Sequence, residues 1–154
     1  MSTQGFFFDV YNNTGRTINV QIPGNIDLVG AQGNYTLNPG TWASAQDSNA
    51  PLPLQLNGGD TGSLIVQLQL QGTTASTTFT LEFDGTKLTN FPGMAFYGSA
   101  GDIANPLLTD AAAGGYVFPL LYMNQQYNGN PLAVLMLVET VGASPYVATP
   151  YGVS

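Results

Sequence analysis

One strict alternation limits the possible folds most. In GSLIVQLQLQG (Gly62–Gly72), Leu64, Val66, Leu68 and Leu70 share one side, and Gln67, Gln69 and Gln71 share the other. A period of two is the period of a β-strand, and a helix cannot gather that pattern onto one face. The segment predicts a strand with an apolar inner face and an outer face of amides. A face washed by water ordinarily carries Lys, Glu or Arg, so the glutamines raise the question of what they meet.

Other segments follow the same logic. RTINVQI (Arg16–Ile22) places Ile18, Val20 and Ile22 on one face. TTFTLEF (Thr77–Phe83) turns Phe79, Leu81 and Phe83 inward and Thr78, Thr80 and Glu82 outward. GFFFDVY (Gly5–Tyr11) is an aromatic strand. YVFPLLYM (Tyr116–Met123) and PLAVLMLVETV (Pro131–Val141) are apolar almost throughout, which predicts strands covered on both faces. Turn residues separate these runs at Asn12–Gly15, Asn38–Gly40, Asn57–Gly62 and Asp84–Gly85, and Asn-Gly marks the loop NQQYNGN. Asn12–Gly15 and GTTAST are each expected to close a hairpin. APLPLQL (Ala50–Leu56) carries two prolines and reads as an edge strand or an extended loop. NIDLVG, NYTL, TWASA and MAFY are weaker strand candidates. IANPLLTDAAA reads as a long loop with room for one helical turn.

The expected architecture is all-β: an antiparallel β-sandwich of about eight to ten short strands, in the form of a single jelly roll. A chain of 154 residues can build one domain with a full core, here over residues 1–154 with an extended C-terminal tail over about 142–154.

Charge narrows the possible functions. Charged residues make up 7% of the chain, against about 25% in an average protein. The formal net charge is −7, and the cations are Arg16 and Lys87. Nucleic-acid binding needs several cations to displace counterions from phosphates, so no direct nucleic-acid partner is expected. Anionic membrane surfaces are disfavoured for the same reason. No run reaches the roughly 18 apolar residues of a transmembrane segment. The start, MSTQGFFFDVYNN, lacks the basic and apolar regions of a signal peptide. That suggests a chain assembled inside a cell, or one whose leader has been removed.

Catalytic chemistry finds few carriers. The chain has neither Cys nor His, which removes thiolate nucleophiles and the commonest general base and metal ligand. No phosphate loop or nucleophile elbow is present. A glycosidase needs two carboxylates flanking a sugar bond, and Glu82 and Asp84 share the outer side of one strand, but a solvated strand end accounts for them. Glu139 interrupts the most apolar run and is expected at a strand end or paired with Arg16 or Lys87. NGGDTG and DGT offer oxygen ligands without the spacing of a calcium loop. No enzyme, metal or cofactor is expected. Asn12-Asn13-Thr14 and Asn34-Tyr35-Thr36 are glycosylation sequons, relevant only in a eukaryotic secretory route.

Association is the favoured expectation. An amide carries no ionic desolvation cost, so a face of Gln and Thr can be buried against a neighbour where ions could not. Interface cores are depleted in Lys, Glu and Asp accordingly. The chain is expected to be a structural assembly subunit, concretely a viral or phage capsid or virion protein, located in a virion or extracellular assembly. Its expected partners are copies of itself and other virion proteins, with Gln67, Gln69 and Gln71 as the assembly face. The alternative is a carbohydrate- or receptor-binding module of lectin or spike-tip type. Trp42 would then be the stacking platform, although it could equally plug one end of the sandwich.

Overall fold

A computed structural model describes residues 5–23, 28–29, 33–46, 50–56, 61–84, 87–90, 95–97, 106–110, 112 and 115–139. In chain order it begins with β1 (Gly5–Asn13), β2 (Ile18–Ile22), β3 (Leu28–Val29), β4 (Gly33–Leu37), a 3₁₀ turn over Ala43–Gln46, and β5 (Leu52–Leu56). It continues with β6 (Thr61–Leu70), β7 (Ser76–Asp84), β8 (Lys87–Asn90), β9 (Ala95–Tyr97), β10 (Leu108–Asp110), β11 (Gly115–Tyr127) and β12 (Asn130–Val138). Among the described residues no helix is long and apolar enough to cross a membrane.

The strands form two sheets. One has seven strands, in the order β10-β11-β12-β1-β5-β3 with β9 also against β11. The other has five, in the order β4-β2-β6-β7-β8. The architecture is thus all-β and sandwich-like. The expected purely antiparallel pairing fails at two places: β1 runs parallel to β12 from Phe7–Leu132 to Asn13–Val138, and β9 runs parallel to β11. A parallel pair suits strands that are covered on both faces, and β1 and β12 are almost wholly buried.

Two apolar layers result. Between the sheets, Phe6, Phe8 and Val10 of β1 and Ala133, Leu135 and Leu137 of β12 meet Ile18, Val20, Leu64, Val66, Leu68, Leu81 and Phe83. On the other side of the seven-stranded sheet, Leu132, Val134, Met136 and Val138 pack with Leu120, Tyr11 and Trp42. The unbroken apolar run of β12 is therefore two interleaved faces, each with its own core.

Several local expectations change. Asn12–Gly15 does not close a hairpin, because β1 and β2 lie in different sheets. The reason is the Asn12 side chain, which is fully buried. Its Nδ2 donates to the carbonyls of Leu37 at 2.8 Å and Arg16 at 2.7 Å. Its Oδ1 accepts from the Thr14 N–H at 3.0 Å and the Thr14 hydroxyl at 2.6 Å. The local Asn–Thr turn thus becomes a corner between layers rather than a return along one. TWASA forms one bridge at Trp42, opposite Tyr11, and then the 3₁₀ turn instead of a strand. Leu108–Asp110, expected within a loop, is a strand against the start of β11. Asn128 and Gly129 form the β11–β12 turn with φ of 52° and 77°, the positive values that a tight hairpin of this hand demands. The tail over 142–154 and most of the Asn57–Gly62 turn lie outside the described residues.

The corner yields a test. Replacing Asn12 by alanine removes the donor from both carbonyls and the acceptor from both groups of Thr14, at about 1 kcal/mol per bond, while the Arg16 carbonyl keeps the Thr14 hydroxyl at 3.1 Å. We expect Asn12→Ala to lower the unfolding free energy by about 3 kcal/mol in urea titration. The half-buried neighbour change Asn13→Ala should stay within about 1 kcal/mol.

Candidate functional site: an uncharged sheet face

The inner sides of β2, β6 and β7 are fixed by the core, so the pleat dictates what their outer sides present. Register places Thr36 of β4, Asn19 of β2, Gln69 of β6 and Ser76 of β7 in one cross-strand row. Asn34, Gln21, Gln67 and Thr78 form the next row. Eight amides and hydroxyls therefore tile four adjacent strands, and no ionisable side chain stands in either row. Further along, Ile65 lies opposite Thr80, and Ser63 lies opposite Glu82. Glu82 and Asp84 are both exposed at that far end, where Asp84 is opposite Lys87.

The three glutamines are not equivalent. Gln67 is half-buried in its row, while Gln69 and Gln71 are exposed. Gln69 Nε2 donates to the Thr73 carbonyl at 3.3 Å, which ties it to the β6–β7 turn. Gln71 lies beyond the end of β6, within that turn. A groove of about 290 Å³ runs between the rows, walled by Asn19, Gln21, Gln67, Gln69 and Thr78. A second depression of about 450 Å³ lies beside it, lined by Asn19, Gln21, Asn34, Thr36 and Gln71. Gln67 and Gln71 thus belong to neighbouring depressions of one face.

The β2 and β4 members of this face, Asn19, Gln21, Asn34 and Thr36, were not expected in it from the sequence, where Asn34 and Thr36 stood out only as a sequon. INVQI carried the signal for two of them: once Ile18, Val20 and Ile22 face inward, Asn19 and Gln21 must face outward beside the glutamines.

Trp42 sits elsewhere. It is 6% exposed and its ring lies 4.6 Å from that of Tyr11, tilted by 40°. A stacking platform needs an open ring face, and this indole is packed at the edge of the second apolar layer. Glu139 follows the end of β12, and its Oε1 accepts from the Gly15 N–H at 2.7 Å. Arg16 instead pairs with Asp110, Nη2 to Oδ2 at 2.8 Å. A Cβ at position 115 would come within 2.9 Å of the Arg16 guanidinium, so Gly115 makes room for that pair. These acids fasten the corner between sheets. Of the two sequons, Asn12 has its amide fully engaged in the interior, while Asn34 is exposed on β4. Among the described residues no group of three or more acids gathers as a metal site.

No protein-family model matches this sequence, and no curated protein matches it.

Burial separates the two kinds of candidate residue by stability. Gln69→Lys, on the exposed face, should change the unfolding free energy by no more than about 0.5 kcal/mol. Trp42→Ala should cost about 3–5 kcal/mol by opening a cavity. Chemical denaturation followed by circular dichroism measures both.

Proposed function

We propose that this chain is a structural assembly subunit whose five-stranded sheet packs its uncharged face against other copies, in the manner of a viral or phage capsid or virion protein. The observation that carries the reading is the pair of cross-strand rows, Thr36–Asn19–Gln69–Ser76 and Asn34–Gln21–Gln67–Thr78. Such groups keep their hydrogen-bonding capacity in an interface and incur no ionic desolvation cost. Their strands are held rigid by the core beneath, so the face is preorganised for a partner. A jelly-roll form belongs to this proposal. Fold alone does not fix function, so the weight rests on the face.

The chain is not proposed as an enzyme, and its partners are copies of itself and other components of the same particle. A second reading is supported by the groove. About 290 Å³ walled by amides and hydroxyls suits a neutral sugar, and a carbohydrate-binding module is the alternative. Its side chains would be Asn19, Gln21 and Gln67 rather than Trp42.

Light scattering and electron microscopy over a concentration series, at low and high salt, test the first reading. Particles should form with little salt dependence, because few ions are involved. Gln67→Lys/Gln69→Lys should abolish them while leaving the fold intact. A wild-type chain that stays monomeric at every concentration would exclude self-assembly. Binding on a glycan array, lost in Gln67→Ala and Asn19→Ala, would favour the second reading instead.

A further inference from the structure

The outer edge of β4 is met by a side chain. Gln46, the last residue of the 3₁₀ turn, donates from Nε2 to the Thr36 carbonyl at 2.6 Å. Its Oε1 accepts from the Thr36 N–H at 3.3 Å. One amide thus takes both backbone polar groups of a single residue, as an adjacent antiparallel strand does at a hydrogen-bonded pair. Thr36 is opposite Asn19 of β2. Since its N–H and C=O meet Gln46, they point away from β2, and this is a non-hydrogen-bonded position of the β2–β4 ladder. Just past the end of β4, the Asn38 carbonyl accepts from the Thr41 N–H at 3.2 Å and the Thr41 hydroxyl at 2.7 Å, a turn that closes that end of the edge. Gln46 is delivered to the edge by buried anchors. Trp42 packs on Tyr11, and the Ser44 N–H donates to Asp9 Oδ1 at 3.1 Å.

We propose that the β4 edge is a strand-addition site for a second copy of this chain, and that Gln46 is the side chain the incoming strand must displace. The occupant follows from symmetry and charge. An edge strand can pair antiparallel with its own equivalent across a two-fold axis, each copy offering the same groups. GNYTL (Gly33–Leu37) has no carboxylate and no cation, so no like charges meet across that axis. The pairing would join two five-stranded sheets into one and bring the neutral rows of both copies together through Asn34 and Thr36. Among the described residues Gln46 takes the outward groups of Thr36 and Thr41 takes the Asn38 carbonyl, whereas a paired strand would engage Asn34 as well. The inference concerns the sheet's edge and stands apart from the face-packing reading.

Sedimentation equilibrium with the full chain tests it. Gln46→Ala should raise the association constant at least ten-fold over wild type. In Gln46→Ala/Thr36→Pro the proline removes an N–H that β2 does not use, a change an edge strand tolerates. Association should then return to the wild-type level. Hydrogen exchange gives an independent reading: protection of the Thr36 amide in Gln46→Ala should rise with protein concentration. Wild-type association by Gln46→Ala, undiminished association by the double variant, or concentration-independent exchange at Thr36 would each overturn the proposal.

Discussion

The amide of Asn12 reaches from the end of β1, in the seven-stranded sheet, to the Leu37 carbonyl at the end of β4, in the other sheet, and to the Arg16 carbonyl just ahead of β2. Its oxygen is held by two groups of Thr14. An amide has two donor hydrogens and two acceptor lone pairs, and all four are used. Aspartate at this position would bring no hydrogen to either carbonyl, and an apolar residue would leave the Arg16 carbonyl with the Thr14 hydroxyl alone. The main chain of Asn12 is engaged as well, with its N–H on Thr41 and its carbonyl on Gly40. One side chain therefore ties the place where β1 leaves one layer to the place where β2 enters the next. Glu139 on the Gly15 N–H and the Arg16–Asp110 pair fasten the same corner from β12 and β10. Glu139 can reach it because β1 and β12 run parallel and finish at the same end.

That corner is upstream of the candidate site. By fixing how β2 and β4 enter the five-stranded sheet, it fixes the register that lines Asn19 and Gln21 up with Gln69 and Gln67. A slip of one residue would turn Ile18, Val20 and Ile22 outward and bury the amides. The uncharged face and the interior corner are thus two ends of one arrangement, held at one end by a saturated amide and throughout by the apolar layer beneath.

Periodicity made the strands legible wherever one side of the pleat was apolar. β6 and β7 are found where the alternation puts them, with Phe79, Leu81 and Phe83 facing in and Thr78, Thr80 and Glu82 facing out. The double apolar run of β12 correctly signalled two covered faces. Sheet membership was not legible, because it depends on contacts distant in sequence. The string NNTG reads equally well as a hairpin turn or a corner, and only the Leu37 carbonyl, 25 residues away, distinguishes them. TWASA reads as a strand because Trp and Thr favour strands. Tertiary packing of the indole on Tyr11, with Ser44 on Asp9, overrides that preference and bends the chain into a 3₁₀ turn. The glutamines of β6 were legible as a face. Its extent was not, since the rows exist only once β2 and β4 are placed beside them.

A chain so poor in charge cannot protect its sheet edges in the usual way, with lysines. It has one lysine, Lys87, and that residue stands on β8, an edge of the five-stranded sheet. The other cation, Arg16, is already committed to Asp110. In the seven-stranded sheet, the outlying strands β3, β9 and β10 have two or three residues each among those described, and short edge strands template another chain poorly. β4 has neither remedy. It is five residues long and has no cation or carboxylate, so the Gln46 amide takes the place of a guarding charge. A neutral guard differs from a charged one in a physical respect. Lysine repels an incoming cation and resists losing its water to any edge, whereas an amide only competes for the same two hydrogen bonds and gives way to a better-matched set. Charge depletion therefore shapes the face and the edge together: it lowers the cost of covering the one and leaves the other closed by a contact that can be exchanged.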